Sequence, residues 1–194
     1  MSVGSPRRSP RQSVRERLLA AADELFYAEG VHTVGIDRVI EQAGVAKASL
    51  YTVFGNKDGL VRAYLHGRHE QRRDRIMRHV DQHTDTRGRL LAVFDSLAEA
   101  AEVPGFRGCA FYNAGAEADP NGVVREEATA NRAWTRQLLT RLAAEADAPD
   151  PDALAAQLVV LYDGATVGAR QDGPAAAKTA RTLAETLLEA TLPH

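Results

Sequence analysis

The sequence is poor in cysteine and has no long apolar segment, and each shortage excludes a class of protein. Cys109 is the one cysteine in 194 residues, so a disulfide-stapled secreted scaffold is excluded. The longest apolar run without alanine or glycine, 158–162, is far shorter than the ~20 residues of a membrane helix. Residues 1–10 lack the apolar stretch of a signal peptide. We therefore expect a cytoplasmic globular protein with no membrane partner.

Recognised catalytic motifs are also missing from the sequence. It has no P-loop, no dinucleotide glycine fingerprint, no nucleophile elbow and no zinc-protease helix. The serine, histidine and acidic residues show no spacing that is typical of a catalytic set. We therefore expect a protein that is not an enzyme and binds no cofactor.

Charge is divided unevenly along the chain, although the formal net charge is only −2. Residues 1–80 carry 14 basic and 9 acidic side chains, whereas residues 81–194 carry 10 and 17. A basic first part is typical of a chain that meets a polyanion there, but many solvated surfaces are equally basic. Only 3 of the 24 basic residues are lysines, which makes Lys47 and Lys57 conspicuous.

Apolar residues recur at helical spacing along most of the sequence, and no β-type alternation longer than a few residues appears. The spacing predicts helices near 13–29, 57–83, 87–102, 106–117, 124–146, 151–169 and 174–191, with two short helices between the first two. Residues 1–12 are rich in Ser, Pro and Arg and predict a disordered basic arm. Its Arg7, Arg8 and Arg11 suit a solvated tail better than a minor-groove contact. The fold class is therefore predicted to be all-α, with about nine helices.

The two short helices form the clearest functional pattern in the sequence. One runs from Ile36 to Ala43 and the other begins at Lys47, with Gly44 able to supply the positive φ of a tight turn. This arrangement is the helix-turn-helix pattern, whose second helix enters the major groove of DNA. The inward residues are expected to be Val39, Ile40, Val45 and Leu50, and the exposed face is expected to carry Lys47, Ser49 and Thr52. Asn56 caps the following helix, whose N-terminus at Lys57 is suited to hold a phosphate.

The segment from Gly44 to Leu60, GVAKASLYTVFGNKDGL, resembles the DNA-binding signature of the TetR family of bacterial transcriptional repressors. The similarity extends back to Arg17 and includes FYAEG at 26–30 and GIDRVI at 35–40. A looser similarity to one branch of the family covers 105–114. The resemblance implies a three-helix helix-turn-helix DNA-binding domain at 13–60 and a C-terminal helical ligand-binding and dimerisation domain at 61–194.

The resemblance also implies a mechanism. A homodimer reads a palindromic double-stranded DNA operator, with one helix-turn-helix on each half. The C-terminal domain dimerises through its last two long helices and holds a small-molecule effector, whose binding releases the operator. The predicted function is a ligand-responsive repressor.

The resemblance also assigns the family's DNA contacts to individual residues of this sequence. The resemblance implies contacts by Gly35, Lys47, Ala48, Ser49, Tyr51, Thr52 and Lys57. Lys47 would contact a phosphate or a base, Tyr51 and Lys57 would contact phosphates, and Ser49 and Thr52 would lie on the reading face. Two residues depart from the family pattern: Gly35 stands where Ser or Thr is common, and Val53 stands where His is common. Each departure removes a polar contact, and Gly35 leaves only its backbone N–H.

Aromatic residues in the second part of the sequence are candidates for the wall of an effector pocket. The set comprises Phe94, Phe106, Phe111, Tyr112, Trp134 and Tyr162, with Asn113 and Glu117 as polar anchors. Each aromatic side chain alone suits a packed core better, and we expect at least two of the set to face the pocket. Alanine and leucine mix on the last two helices, which lets helices approach closely. The predicted dimer interface, a four-helix bundle with a second copy, comprises Leu154, Leu158, Leu161, Ala176, Ala180, Leu183 and Leu187.

Two other functions stay open at this stage. An all-helical enzyme or ligand carrier without a DNA role would use the basic first third only as ordinary surface. A metal sensor would use His66 and His69, or His79 and His83, whose spacings can build a metal site. Surface histidines on a polar helix explain these spacings better, so we expect no metal. Cys109 suits a small buried hydrophobe better than a redox sensor.

Overall fold

The structure is a computed structural model that describes residues 12–115, 119 and 122–193. Within these ranges it contains nine α-helices and no β-strand, which confirms the all-α prediction. The helices are α1 (Val14–Glu29), α2 (Ile36–Ala43), α3 (Lys47–Phe54), α4 (Lys57–Val80), α5 (Thr86–Glu102), α6 (Ala110–Gly115), α7 (Val123–Glu145), α8 (Pro151–Asp172) and α9 (Pro174–Thr191). Residues 1–11 of the predicted arm and Glu117 lie outside the described residues.

The chain forms two compact units, unit 1 (Met1–Tyr64) and unit 2 (Leu65–His194). In unit 1, α1 packs against α2 and α3. Its N-terminus is fixed by a capping box, in which the side chains of Ser13 and Glu16 each bond the other residue's backbone N–H. Leu18 and Phe26 are buried, and the ring of Phe26 meets the edge of Tyr64 at 5.5 Å. These contacts give unit 1 a small core of its own.

The turn between α2 and α3 depends on Gly44. Its φ of 59° and ψ of 44° lie in the left-handed region, where a side chain is strained. Arg17 of α1 donates from Nη2 to the Gly44 carbonyl oxygen at 2.6 Å. Val39 and Leu50 are fully buried on either side of the turn, as the spacing predicts, while Ile40 and Val45 are half-buried. The glycine turn and the buried pair together set the angle between the two helices.

Helix α5 lies at the centre of unit 2 and packs against α7, α8 and α9. Its buried residues include Leu90, Leu91, Ala92, Val93, Phe94 and Leu97, which cover much of its circumference. A helix that is apolar on most sides belongs in the interior of a bundle. Helix α7 contributes Leu138, Leu139 and Leu142 to the same core. The core is therefore a layer of helices around α5.

Three helix ends differ from the sequence-based boundaries by three residues or more. Helix α4 stops at Val80, and α8 continues to Asp172, where Gly173, with a φ of 60°, separates it from α9. The aromatic helix predicted at 106–117 begins only at Ala110, because Gly105 and Gly108 both adopt positive φ. The helices themselves stand where apolar spacing predicts them, and the errors lie at their ends.

Candidate nucleic-acid interface and ligand cavity

Helix α3 presents most of its predicted DNA contacts to solvent. Lys47, Ala48, Tyr51 and Thr52 are exposed, and Ser49 is half-buried. Tyr51 keeps 44% of its surface exposed, so it is not a core aromatic. Leu50, on the opposite side, is fully buried and anchors the helix. We call the exposed set, together with Ser49, the reading face; it combines one cation, hydroxyl groups and an aromatic ring, which suit contacts to phosphates and base edges.

Lys47 is held by a partner that the sequence does not reveal. Its Nζ forms an ion pair with Oδ1 of Asp37 on α2 at 2.7 Å, and both side chains are largely exposed. The hydrogen bond that the ammonium donates to Asp37, and then the charge of Asp37, raise the pKa of Lys47. Lys47 is therefore fully charged, but in the DNA-free protein part of its charge is offset by Asp37.

Thr52 and Gly35 differ in the polar groups that they offer to a ligand. Thr52 donates its Oγ1 hydrogen to the carbonyl of Ala48 at 2.9 Å, so its oxygen remains able to accept from a base. Gly35 is the residue preceding α2 and provides no side-chain cap. A Cβ built there would meet no atom within 4 Å, so the missing side chain leaves open space.

The N-terminus of α4 lies directly after α3 in the chain. The Oδ1 atom of Asn56 accepts from the backbone N–H of Gly59 at 2.8 Å, which confirms the predicted cap. Lys57, the first residue of α4, is half-buried. A cation beside the free N–H groups at the start of a helix is a favourable position for a phosphate.

Unit 2 contains a cavity of about 1000 Å³ between α4, α7, α8 and the segment around α6. Three predicted pocket residues, Phe111, Tyr112 and Tyr162, line it. The other four predicted residues are not part of the described lining. Phe94 is fully buried behind the edge of Tyr162, Phe106 and Trp134 pack on the core, and Asn113 donates to the Arg107 carbonyl. A cavity of this size is typical of small-molecule sites.

The polar part of the cavity wall was missed by the sequence analysis. Arg72 of α4 donates to Oδ1 of Asn131 and to Oγ1 of Thr135 at 3.0 Å each. Asn131 and Thr135 are both buried and lie one turn apart on α7, in line with the buried Leu138 and Leu142. The sequence did carry a signal for this site, namely two polar residues inside an otherwise apolar stripe of α7. Polar side chains are buried only where they have hydrogen-bond partners.

The predicted dimer residues fall into two groups. Leu154 and Leu158 are buried within the protomer, and Ala180 keeps only 5% of its surface, so these three have little surface to offer a partner. Leu161, Ala176, Leu183 and Leu187 line two shallow grooves of about 480 and 540 Å³ on the outer side of α8 and α9. Val160 and Leu183 are 65% and 51% exposed there. We call Val160, Leu161, Leu183 and Leu187 the α8–α9 apolar face.

Cys109 and two of the histidines considered for sensing have contacts of their own. Cys109 is half-buried in the cavity wall. His69 contacts Oδ1 of Asn131, and His79 pairs with Glu99. No cluster of three metal-ligating side chains occurs among the residues that the structure describes. In the same part of the chain, every helix is too short or too polar to cross a membrane.

Two family models match the chain over the regions just described. The model of bacterial regulatory proteins of the tetR family matches residues 18–64, and the model of the tetracyclin repressor-like C-terminal domain matches residues 86–184. The first covers the helix-turn-helix and the second covers most of unit 2. The described surface and cavity therefore lie within matched regions, apart from the part of α4 that carries Arg72.

Curated relatives match over shorter stretches. The HTH-type transcriptional activator FasR of Mycolicibacterium smegmatis is 34% identical over 95 residues, which are 49% of this chain and 43% of that protein. The HTH-type transcriptional regulator TtgR of Pseudomonas putida is 35% identical over 92 residues, 44% of this chain and 43% of that protein. The matches thus span less than half the length of these relatives.

Solved structures match over almost the whole chain. A TetR-family transcriptional regulator from Streptomyces coelicolor is 37% identical, with a TM-score of 0.85 over 91% of this chain and 95% of that one. A tetR-type regulator from Streptomyces avermitilis is 32% identical, with a TM-score of 0.80 over 92% and 98%. The chain therefore belongs to the TetR family: it is a helix-turn-helix, DNA-binding transcriptional regulator and not an enzyme.

Proposed function

We propose that the protein is a homodimeric, ligand-responsive repressor that acts in the cytoplasm, reads a palindromic operator and releases it when a small molecule binds. The observation that carries the proposal is the exposure of Lys47, Tyr51 and Thr52 on α3, opposite the fully buried Leu50. Residues needed for packing face inward, and those suited to DNA face outward. The predicted contacts at Gly35, Ala48, Ser49 and Lys57 complete the proposed interface.

The DNA-binding part is tested by selecting bound duplexes from a random library. A dimer with two-fold symmetry selects an inverted repeat, because each half-site meets the same surface. Lys57→Ala should weaken binding to all sequences and flatten the salt dependence by about one ion per subunit. Lys178→Ala is the matched control, since Lys178 is an exposed lysine of α9 in unit 2. An unchanged salt slope for Lys57→Ala would remove its phosphate contact from the proposal.

The dimer is proposed to form through the α8–α9 apolar face. Val160 and Leu183 are both more than half exposed and line the same two grooves, and a contiguous apolar patch of this kind is typical of a surface covered by another protein. Val160→Glu places a charge on this face and should leave a species of 21.0 kDa in light scattering, against twice that mass for the native chain. Val103→Glu is the control, because Val103 is 58% exposed but lies at the end of α5. A native chain that stays monomeric at micromolar concentration contradicts the proposal.

Release of DNA is proposed to follow from a shift between two populations of the dimer. A ligand in the unit 2 cavity favours release only if it binds the operator-incompetent state more tightly. The direction of regulation is tested by deleting the gene and measuring transcription from the promoter that carries the selected site. Increased transcription supports repression. Decreased transcription would instead make the protein an activator, which is what the M. smegmatis relative is named.

A further inference from the structure

The unit 2 cavity contains a cation whose protein partners are all neutral. Three hydrogen bonds leave the Arg72 guanidinium: two from Nη1, to Asn131 and Thr135, and one from Nη2 to Thr135. An arginine side chain has five N–H donors, so two remain without an acceptor among the described residues. No carboxylate there forms an ion pair with Arg72 either. Arg72 is therefore charged, oriented and incompletely paired.

The orientation of Arg72 is fixed by an aromatic ring. Its guanidinium carbon lies 5.0 Å from the centre of the Tyr162 ring, a cation–π contact that holds the planar group against α8. Tyr162 is in turn held by the edge of Phe94. Because ring and acceptors restrain the guanidinium from two sides, a ligand would meet a donor group that is already in place.

The formal charges of the other charged residues in the described cavity wall cancel. Arg132 and Asp163 pair with each other, and Arg125 and Asp119 are both exposed. One turn beyond Arg72, burial lowers the pKa of the Arg75 guanidinium, and the like charge of Arg72 adds to this effect. The described wall therefore has an excess of one positive charge, and Arg72 lies half-buried in it.

We propose that the effector is a hydrophobic carboxylic acid of small molecular size, with its carboxylate on Arg72 and its apolar body against Tyr162, Phe111 and Val124. A carboxylate accepts two parallel N–H bonds from a guanidinium and supplies the missing counter-charge. A cationic ligand would be repelled by Arg72, and a neutral one would leave the charge uncompensated. The inference rests on the proposed function, because it names the ligand of the proposed effector site.

The test compares three probes with the same apolar body: phenylbutyrate, phenylbutanol and phenylbutylamine. Calorimetry on the full-length native protein measures each affinity. Quenching of Trp134, the single tryptophan, provides a second signal, because its ring contacts His69, which bonds Asn131. Phenylbutyrate should bind at least about tenfold more tightly than the alcohol, with the amine weakest. Equal affinities for acid and alcohol, or no binding of the acid at millimolar concentration, overturn the inference on the native protein alone.

Variants assign the preference to Arg72. Arg72→Gln should remove the preference for the acid over the alcohol, and Arg72→Lys should keep part of it as a point charge without the fork geometry. Arg136→Gln, an exposed arginine on α7 outside the described cavity wall, should leave the preference unchanged. Preference that survives in Arg72→Gln contradicts the role of this residue.

A separate measurement distinguishes failure of this inference from failure of the proposed function. Binding of the selected operator is measured with and without phenylbutyrate. If the acid binds through Arg72 but does not change operator affinity, the ligand class stands and the release mechanism fails. If the operator is bound specifically but the acid is not preferred, the regulator stands and the ligand class fails.

Discussion

Replacing Gly44 by alanine tests how the turn before α3 is built. The backbone at Gly44 is left-handed, with φ 59° and ψ 44°, a conformation that costs an ordinary residue about 1–2 kcal/mol. The new Cβ would also lie 2.8 Å from Nη2 of Arg17, the atom that donates to the Gly44 carbonyl. Arg17 must then withdraw, and losing this exposed hydrogen bond costs about 1 kcal/mol more. We expect Gly44→Ala to destabilise unit 1 by about 2–3 kcal/mol.

Amide hydrogen exchange of peptides covering α2 and α3 is the appropriate assay, because it reports the opening of unit 1 separately from unit 2. Arg17→Ala alone should cost about 1 kcal/mol, and it should add almost nothing to Gly44→Ala, since that variant has already displaced the arginine. The coupling in the double-mutant cycle is therefore about 1 kcal/mol. Gly67→Ala, in the open middle of α4, is the control and should stabilise its helix. Additive effects of Gly44→Ala and Arg17→Ala would refute the steric reasoning.

Three further changes test other contacts. Asp37→Asn removes the ion pair that offsets the charge of Lys47, so the salt dependence of binding to random duplex should become steeper by up to about one ion per subunit. The control is Glu41→Gln, which removes an acidic charge from the exposed surface. Equal salt slopes in the two variants contradict the prediction. Gly35→Ser adds a hydroxyl in open space and should tighten operator binding about two- to fivefold, which Gly35→Ala should not do. The hydrogen bond from His79 lowers the pKa of Glu99 below its ordinary 4.5. Ionised Glu99 therefore stabilises the protein above about pH 4.5, and this stabilisation is lost as the pH falls through the lowered pKa. Urea titrations measure the difference in unfolding free energy between native and Glu99→Gln protein, which should stay below about 1 kcal/mol at this exposed site. The difference should shrink between about pH 5 and pH 3. A difference that persists in acid contradicts the prediction.

Features set by neighbouring residues were predictable from the sequence. The capping box at Ser13 and the cap at Asn56 follow from side chains that bond backbone three residues away. Gly44 was predictable as a turn because it is the residue between two apolar stripes that tolerates positive φ. The outward position of Tyr51 followed from the family signature and not from its chemistry, since a tyrosine taken by itself suits a core better.

Features set by distant residues were not predictable. Helix α4 carries five arginines between residues 68 and 78, and only the packing of α7 and α8 makes Arg72 the one in the cavity wall. On α9 the predicted dimer residues Ala176 and Leu183 lie on the surface side, but Ala180 of the same set is buried together with Ala177, Ala184 and Leu188. Alanine and leucine occur on both sides of that helix, so apolar spacing alone does not choose between two adjacent stripes.

The joint at Gly173 constrains how the chain can change during evolution. One residue ends α8 and begins α9, and the apolar face is assembled from side chains of both helices. An insertion at this joint would turn α9 by about 100° per added residue relative to α8 and would carry Leu183 away from Val160. A relative that uses the same apolar face for the proposed dimer must therefore keep the length of this hairpin.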